Sequence, residues 1–192
     1  MKQAYIYGLV MCLVLLSCNQ DQTLQYHYST FKIEHLNNST GNPTPFITDT
    51  INPITCVATN YGLRINLYPV GDFDISNSGD LQEDYYVNKN PITNIYITST
   101  DSFDLDLPPG NLLNEKFIYR KSLNPVDSQK TFEDNGSWYD YNTSVNGSLT
   151  TSVTDILLKH PPFHSGSYRF IVKLLFQDGT SFVDTTGSVN LY

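Results

Sequence analysis

Alanine and glutamate, two of the strongest helix formers, are almost missing from this 192-residue chain, which holds two alanines, four glutamates and two methionines. That scarcity argues against a helical bundle and against a doubly wound α/β enzyme, since both need long helices. Cysteine is scarce too, with three in all, at positions 12, 18 and 56. No CxxC pair exists, which excludes zinc ribbons and fingers. Basic side chains are outnumbered, 11 Lys and Arg against 19 Asp and Glu, for a formal charge of −8 and a pI near 4.7. Such a surface repels phosphate backbones, so no nucleic-acid partner is expected. Also missing are a Gly-x-Ser-x-Gly nucleophile elbow, a phosphate-binding glycine loop and an HExxH zinc motif.

What is abundant points the other way. The chain has 14 Tyr, 10 Phe and 19 Thr, residues that fit a pleated, half-buried surface. Asn and Ser, at 18 and 17, suit turns and polar strand faces. A hydrophobic content of 40% is enough for a core and excludes wholesale disorder. Short strand signals recur between Gly, Pro, Asn and Asp clusters. Leu63, Ile65 and Leu67 alternate with Arg64 and Asn66, and Ile95 and Ile97 alternate with Asn94 and Tyr96. Tyr26–Ile33 shows a mixed alternation. Near the C-terminus, Tyr168, Phe170, Val172, Leu174 and Phe176 share one face, and Asp178-Gly179 follows as the pair favoured in a type I′ turn. A hairpin returning through Ser181–Thr185 is expected, then a closing strand over Val189–Tyr192. Thr154–His160 suits either one helical turn or a strand. With no repeat or linker to divide it, the body reads as one all-β domain. The expected fold is a single β-sandwich of Greek-key or immunoglobulin-like type over residues 26–192, with at most one or two short helices.

The N-terminus has its own logic. Lys2 precedes an apolar run from Ala4 to Leu16, too short to span a bilayer but right for a secretory signal. The run ends in Leu15-Leu16-Ser17-Cys18, which resembles the bacterial lipobox. That resemblance implies cleavage after Ser17 and lipidation of Cys18, with two or three acyl chains giving stable anchoring. Residues 1–17 are then a lipoprotein signal peptide, and 18–25 a polar, lipidated tether. Cys12 would leave with the signal, so Cys56 is the one remaining thiol. In its apolar setting, Ile54–Ala58, it is expected to behave as a small buried hydrophobe.

Two further stretches carry a family resemblance. One runs Ile92–Ser99, Asp101-Ser102-Phe103-Asp104, Pro108-Pro109-Gly110 and Leu113–Phe117. The other is Phe170-x-Val172-x-Leu174 with Asp178-Gly179 and Thr185-Thr186. Together with the lipobox they resemble a family of uncharacterised Bacteroidota lipoproteins bearing a domain of unknown function. The resemblance implies an outer-membrane lipoprotein with a β-sandwich body and carries no catalytic residues across. Asp49-Thr50-Ile51 also resembles the short O-glycosylation motif of that phylum, making Thr50 a candidate glycosylation site.

Four clusters carry candidate chemistry. Asp72, Asp74, Ser76, Ser78, Asp80 and Glu83 place oxygens at the spacing of a calcium loop. Asn77 stands where that loop needs glycine, so a solvated acidic loop is the competing reading. Asp101, Asp104 and Asp106 form a second acidic group. There Asp104 and Asp106 would share one face of a strand, as metal ligands, as an acid–base pair or simply as its wet side. His160 and His164 are four apart, but Pro161-Pro162 between them breaks the helix that zinc would require. Trp138, Tyr139, Asp140 and Tyr141 combine aromatic faces with hydrogen-bonding groups, as a glycan or protein contact does. The expected role is a non-enzymatic, cofactor-free binding or accessory module. It would be lipid-anchored on the outer membrane, with a glycan or an envelope protein as ligand. Two other roles stay open: a subunit or assembly factor of an appendage or envelope complex, using the C-terminal strand to pair with a partner, and a calcium-dependent polysaccharide-processing enzyme.

Overall fold

A computed structural model describes residues 23–46, 54–71, 85–121, 129–131 and 152–192. These residues form an all-β sandwich with 3₁₀ turns at Ala58–Asn60 and Asn114–Lys116. Thirteen strands are described: β1 Thr23–Asn37, β2 Thr44–Pro45, β3 Ile54–Cys56, β4 Tyr61–Gly71, β5 Tyr85–Asn88, β6 Ile92–Ser99, β7 Phe117–Lys121, β8 Gln129–Thr131, β9 Ser152–Leu158, β10 Gly166–Tyr168, β11 Phe170–Phe176, β12 Ser181–Thr185 and β13 Val189–Leu191. The main sheet runs β2-β1-β4-β9-β7-β8, with β5 parallel to the start of β1. A second sheet is β12-β11-β6, and a small third one is β10-β13-β3. Leu63, Ile65 and Leu67 of β4 pack in one core cluster with Ile95, Ile97, Phe170, Val172 and Leu174 of the second sheet.

The mixed alternation of β1 has a cause in its partner strand. Tyr28 pairs with Pro69 and Thr30 with Tyr68, so Ser29 is an extra residue, a β-bulge. Pro69 has no N–H to give to the ladder, and a bulge is where a strand proline is tolerated. The inserted residue flips the parity. Tyr26 and Tyr28 are buried before it, and Phe31, Ile33 and His35 turn to the core after it. β1 also begins at Thr23, inside the segment read from composition as tether.

The C-terminal hairpin forms as expected, with Tyr168, Phe170, Val172, Leu174 and Phe176 all buried. Its turn is not the two-residue type I′. Gly179 N–H donates to Phe176 O (3.0 Å) and Phe176 N–H to Thr180 O (2.9 Å), which leaves a three-residue loop with Gly179 at φ 85°. The Asp178 carboxylate decides this by accepting both the Thr180 N–H (2.8 Å) and its hydroxyl (2.6 Å). Of the two readings of Thr154–His160, the strand is realised. Segment β9 lies between β4 and β7, where flanking ladders satisfy its backbone on both sides. The closing strand β13 is central too, paired with β10 and in parallel with β3. It therefore has no free edge to offer a partner, contrary to the pairing role considered for Val189–Tyr192.

Strand β6 lies at a sheet edge that is closed from within the chain. Asn114 Nδ2 donates to Ile95 O (2.7 Å), and its Oδ1 accepts the Ile97 N–H (2.9 Å), imitating a neighbouring strand residue. Leu113 N–H to Ile97 O (2.7 Å) extends the seal. A covered edge cannot template pairing with another chain.

The strands give the body two ends. Thr23, Gly71, Asn88 and the Gln177–Thr180 loop lie at one, joined by Lys89 N–H to Tyr26 O and Asp178 N–H to Asn90 Oδ1. Asn37, Leu158, Phe117 and Ser99 lie at the other.

Candidate functional site

Most sites anticipated from sequence lie outside the described residues: Cys18, Thr50, the acidic series Asp72, Asp74, Ser76, Ser78, Asp80 and Glu83, and the aromatic group Trp138, Tyr139, Asp140 and Tyr141. The described candidates occupy the end of the sandwich opposite Thr23.

Asp104 and Asp106 do not lie along a strand. Residues 104–107 form a tight turn in which Phe103 N–H bonds Leu107 O (3.0 Å) and Leu107 N–H bonds Asp104 O (3.1 Å). The turn splits the two leucines expected on one face, with Leu105 thrown into solvent and Leu107 packed against the core. Asp104 ties two loops together: one oxygen pairs with Lys116 Nζ (2.8 Å) and the other accepts the Phe163 N–H (3.0 Å). Asp106 is exposed, and Asp101 accepts its neighbour's hydroxyl from Thr100 (2.8 Å). The three carboxylates therefore do not converge. Among the described residues, no group of three or more His, Cys, Asp or Glu side chains converges as a metal site would require.

His160 and His164 are both exposed on an irregular segment. The His164 carbonyl accepts the Tyr168 hydroxyl (2.6 Å), and its ring packs edge-on against Phe163, with centroids 4.6 Å apart. At this end Leu105 is 77% and Phe163 66% exposed, with Leu112 also open to solvent. Backbone contacts of Phe163 with Phe103 and Asp104 bring these loops together.

A third group, unmarked by any local motif, is buried. His35 Nδ1 and the Tyr61 hydroxyl are 2.8 Å apart, and His35 Nε2 lies beside the Gly187 backbone without a well-formed hydrogen bond. Burial pushes the imidazole below its ordinary value, and the Gly187 backbone offsets part of that. Tyr61 is raised well above the usual phenol value by its complete burial and, secondarily, by Cys56. Cys56 is buried as expected, its thiol donating to Val57 O (3.2 Å) and raised by desolvation. A protonated thiol turned toward a carbonyl is not an activated nucleophile. The only signal for His35 was its period-2 relation to Phe31 and Ile33, hidden by the upstream bulge.

The pair makes a pH prediction. Folding favours neutral His35, so its contribution is fully present above the unfolded histidine value of about 6.5 and is lost as pH falls below it. The urea midpoint should therefore drop between pH 7 and pH 5. His35→Gln, which can still accept from Tyr61, should flatten that slope. An unchanged slope in the variant would refute the assignment.

Comparison with known proteins adds little. No protein-family model matches the chain, and no curated protein matches it. One solved structure, a family 123 glycoside hydrolase from Clostridium perfringens studied for glycolipid glycan hydrolysis, aligns with 85% of this chain at 13% identity and a TM-score of 0.30. The chain spans 27% of that enzyme's length, and a likeness this remote carries no functional argument.

Proposed function

We propose that this chain is a non-enzymatic, lipid-anchored binding or accessory module of the bacterial cell envelope, held on the outer membrane through Cys18, with a glycan or a protein as ligand. The observation that carries the reading is Leu15-Leu16-Ser17-Cys18 directly behind a short apolar run, with a folded β body beginning five residues later at Thr23. The exposed Leu105 and Phe163, on two loops joined by the Phe163 N–H to the Asp104 carboxylate, support a binding role, because large apolar side chains held in water mark interaction surfaces. Among the described residues, Asp104, His35 and Cys56 are each engaged in contacts within the fold.

The test is Cys18→Ala. Wild-type protein should pellet with membranes, require detergent for release and incorporate labelled palmitate. The variant should be soluble and unlabelled. Fully processed wild-type protein found in the soluble fraction would sink the reading.

A further inference from the structure

We infer that the sandwich stands end-on at the membrane, with the Thr23 end, carrying the Gln177–Thr180 loop, against the lipid headgroups and the Leu105–Phe163 end directed away from them. This rests on the lipid-anchor reading and adds an orientation to it. Only residues 19–22 separate Cys18 from β1. Five Cα steps reach at most about 18 Å, so the start of β1 cannot leave the bilayer surface by more than that. Strand β1 itself runs from Thr23 to Asn37, up to about 45 Å at the usual rise per residue. Its partner β4 keeps antiparallel register throughout apart from the single bulge, so the two ends of the body are held well apart.

The surface at the Thr23 end suits headgroup contact. Lys89, Gln177, Asp178 and Thr180 are exposed there, and none is a large apolar side chain. They fit a hydrated, zwitterionic surface and have nothing to insert into the hydrocarbon. Among the described residues the two most exposed apolar side chains, Leu105 and Phe163, sit at the opposite end, bonded through Asp104 and Lys116 to the far termini of β7 and β9, while Val70 beside Gly71 is partly exposed at the Thr23 end. With so short a tether, the Thr23 end is the one that the lipid holds within about 18 Å of the bilayer.

The experiment uses the full lipidated chain reconstituted into phosphatidylcholine vesicles that carry a short-range headgroup quencher. Single fluorescent labels are placed through Gln177→Cys or Leu105→Cys. Cys56 is buried, and the unsubstituted chain controls for its labelling. The label at 177 should be quenched severalfold more strongly than the label at 105. Equal quenching, or stronger quenching at 105, would overturn the orientation and show the apolar end inserting instead. A parallel measurement on the Cys18→Ala chain separates the two claims. If that chain binds vesicles as well as the wild type, the anchor reading fails, whatever the labels report.

Discussion

Phe170→Ala should cost about 4 kcal/mol of folding stability, from the removal of a large buried ring plus the cavity it leaves. Phe170 is fully buried and is where the three sheets meet. Its ring stacks on Tyr61 of β4 at 5.5 Å and on Tyr168 of β10 at 6.5 Å. It also meets Phe117 of β7 edge-on at 5.6 Å and Phe103 at 6.2 Å. Aromatic pairs of this kind add about 0.5–1.5 kcal/mol each beyond the area they bury. Its backbone is fixed as well, with the Phe170 N–H on the Thr186 hydroxyl and the Thr186 N–H on Phe170 O. That limits how far the site can collapse around an alanine. Domains of this size hold only about 5–15 kcal/mol in reserve, so the variant should unfold at a much lower urea midpoint. Phe170→Leu, which keeps more of the volume, should fall between the two. A loss below about 1.5 kcal/mol for the alanine variant would mean that the sheets are not joined through this ring.

Arg64→Ala should be nearly as damaging, by about 3–5 kcal/mol, for an electrostatic reason. Arg64 lies directly opposite Asp155 in the β4–β9 ladder and holds both its carboxylate oxygens, Nε at 2.6 Å and Nη2 at 2.8 Å. Nη2 also donates to Pro43 O at 3.3 Å. The Asp155 side chain is almost entirely buried, while that of Arg64 keeps 21% of its surface exposed. Removing the guanidinium takes both described hydrogen bonds from a nearly buried carboxylate, whereas the arginine's own desolvation is modest. Replacing both residues, as Arg64→Met with Asp155→Leu, should recover most of the loss, because what the single variant suffers is the unpaired charge and not the absence of the pair. Equal destabilisation in the single and double variants would contradict this.

How legible these features were in the chain differs with their range. The alternation around Leu63–Leu67 and Tyr168–Phe176 could be read because a strand with one buried face repeats every two residues. The bulge at Ser29 could not, because it answers to Pro69, forty positions away. The alternation of Asp104–Leu107 resembles a strand, but the Phe103–Leu107 and Asp104–Leu107 hydrogen bonds close it into a turn. Asp178-Gly179 marks the place of the turn, but its loop is three residues long because the Asp178 carboxylate captures Thr180. The helix-or-strand ambiguity of Thr154–Leu158 was real in the local pattern. Pairing with β4 and β7 resolves it.

Composition alone settled the class of this protein. A chain with two alanines and four glutamates, rich in Tyr, Phe and Thr, has little to build helices from and much that packs well on a pleated sheet. Local order also located the main hairpin. Tertiary structure alone decided which polar groups are buried and with whom. Asp155 meets an arginine 91 residues away, and His35 a tyrosine 26 residues away. It also decided that β13 is an interior strand and that the exposed leucine and phenylalanine gather at the end opposite Thr23. The physical reason is one of range. Propensity and periodicity act between neighbours in sequence, whereas burial, charge pairing and edge protection depend on which distant strand comes to lie alongside.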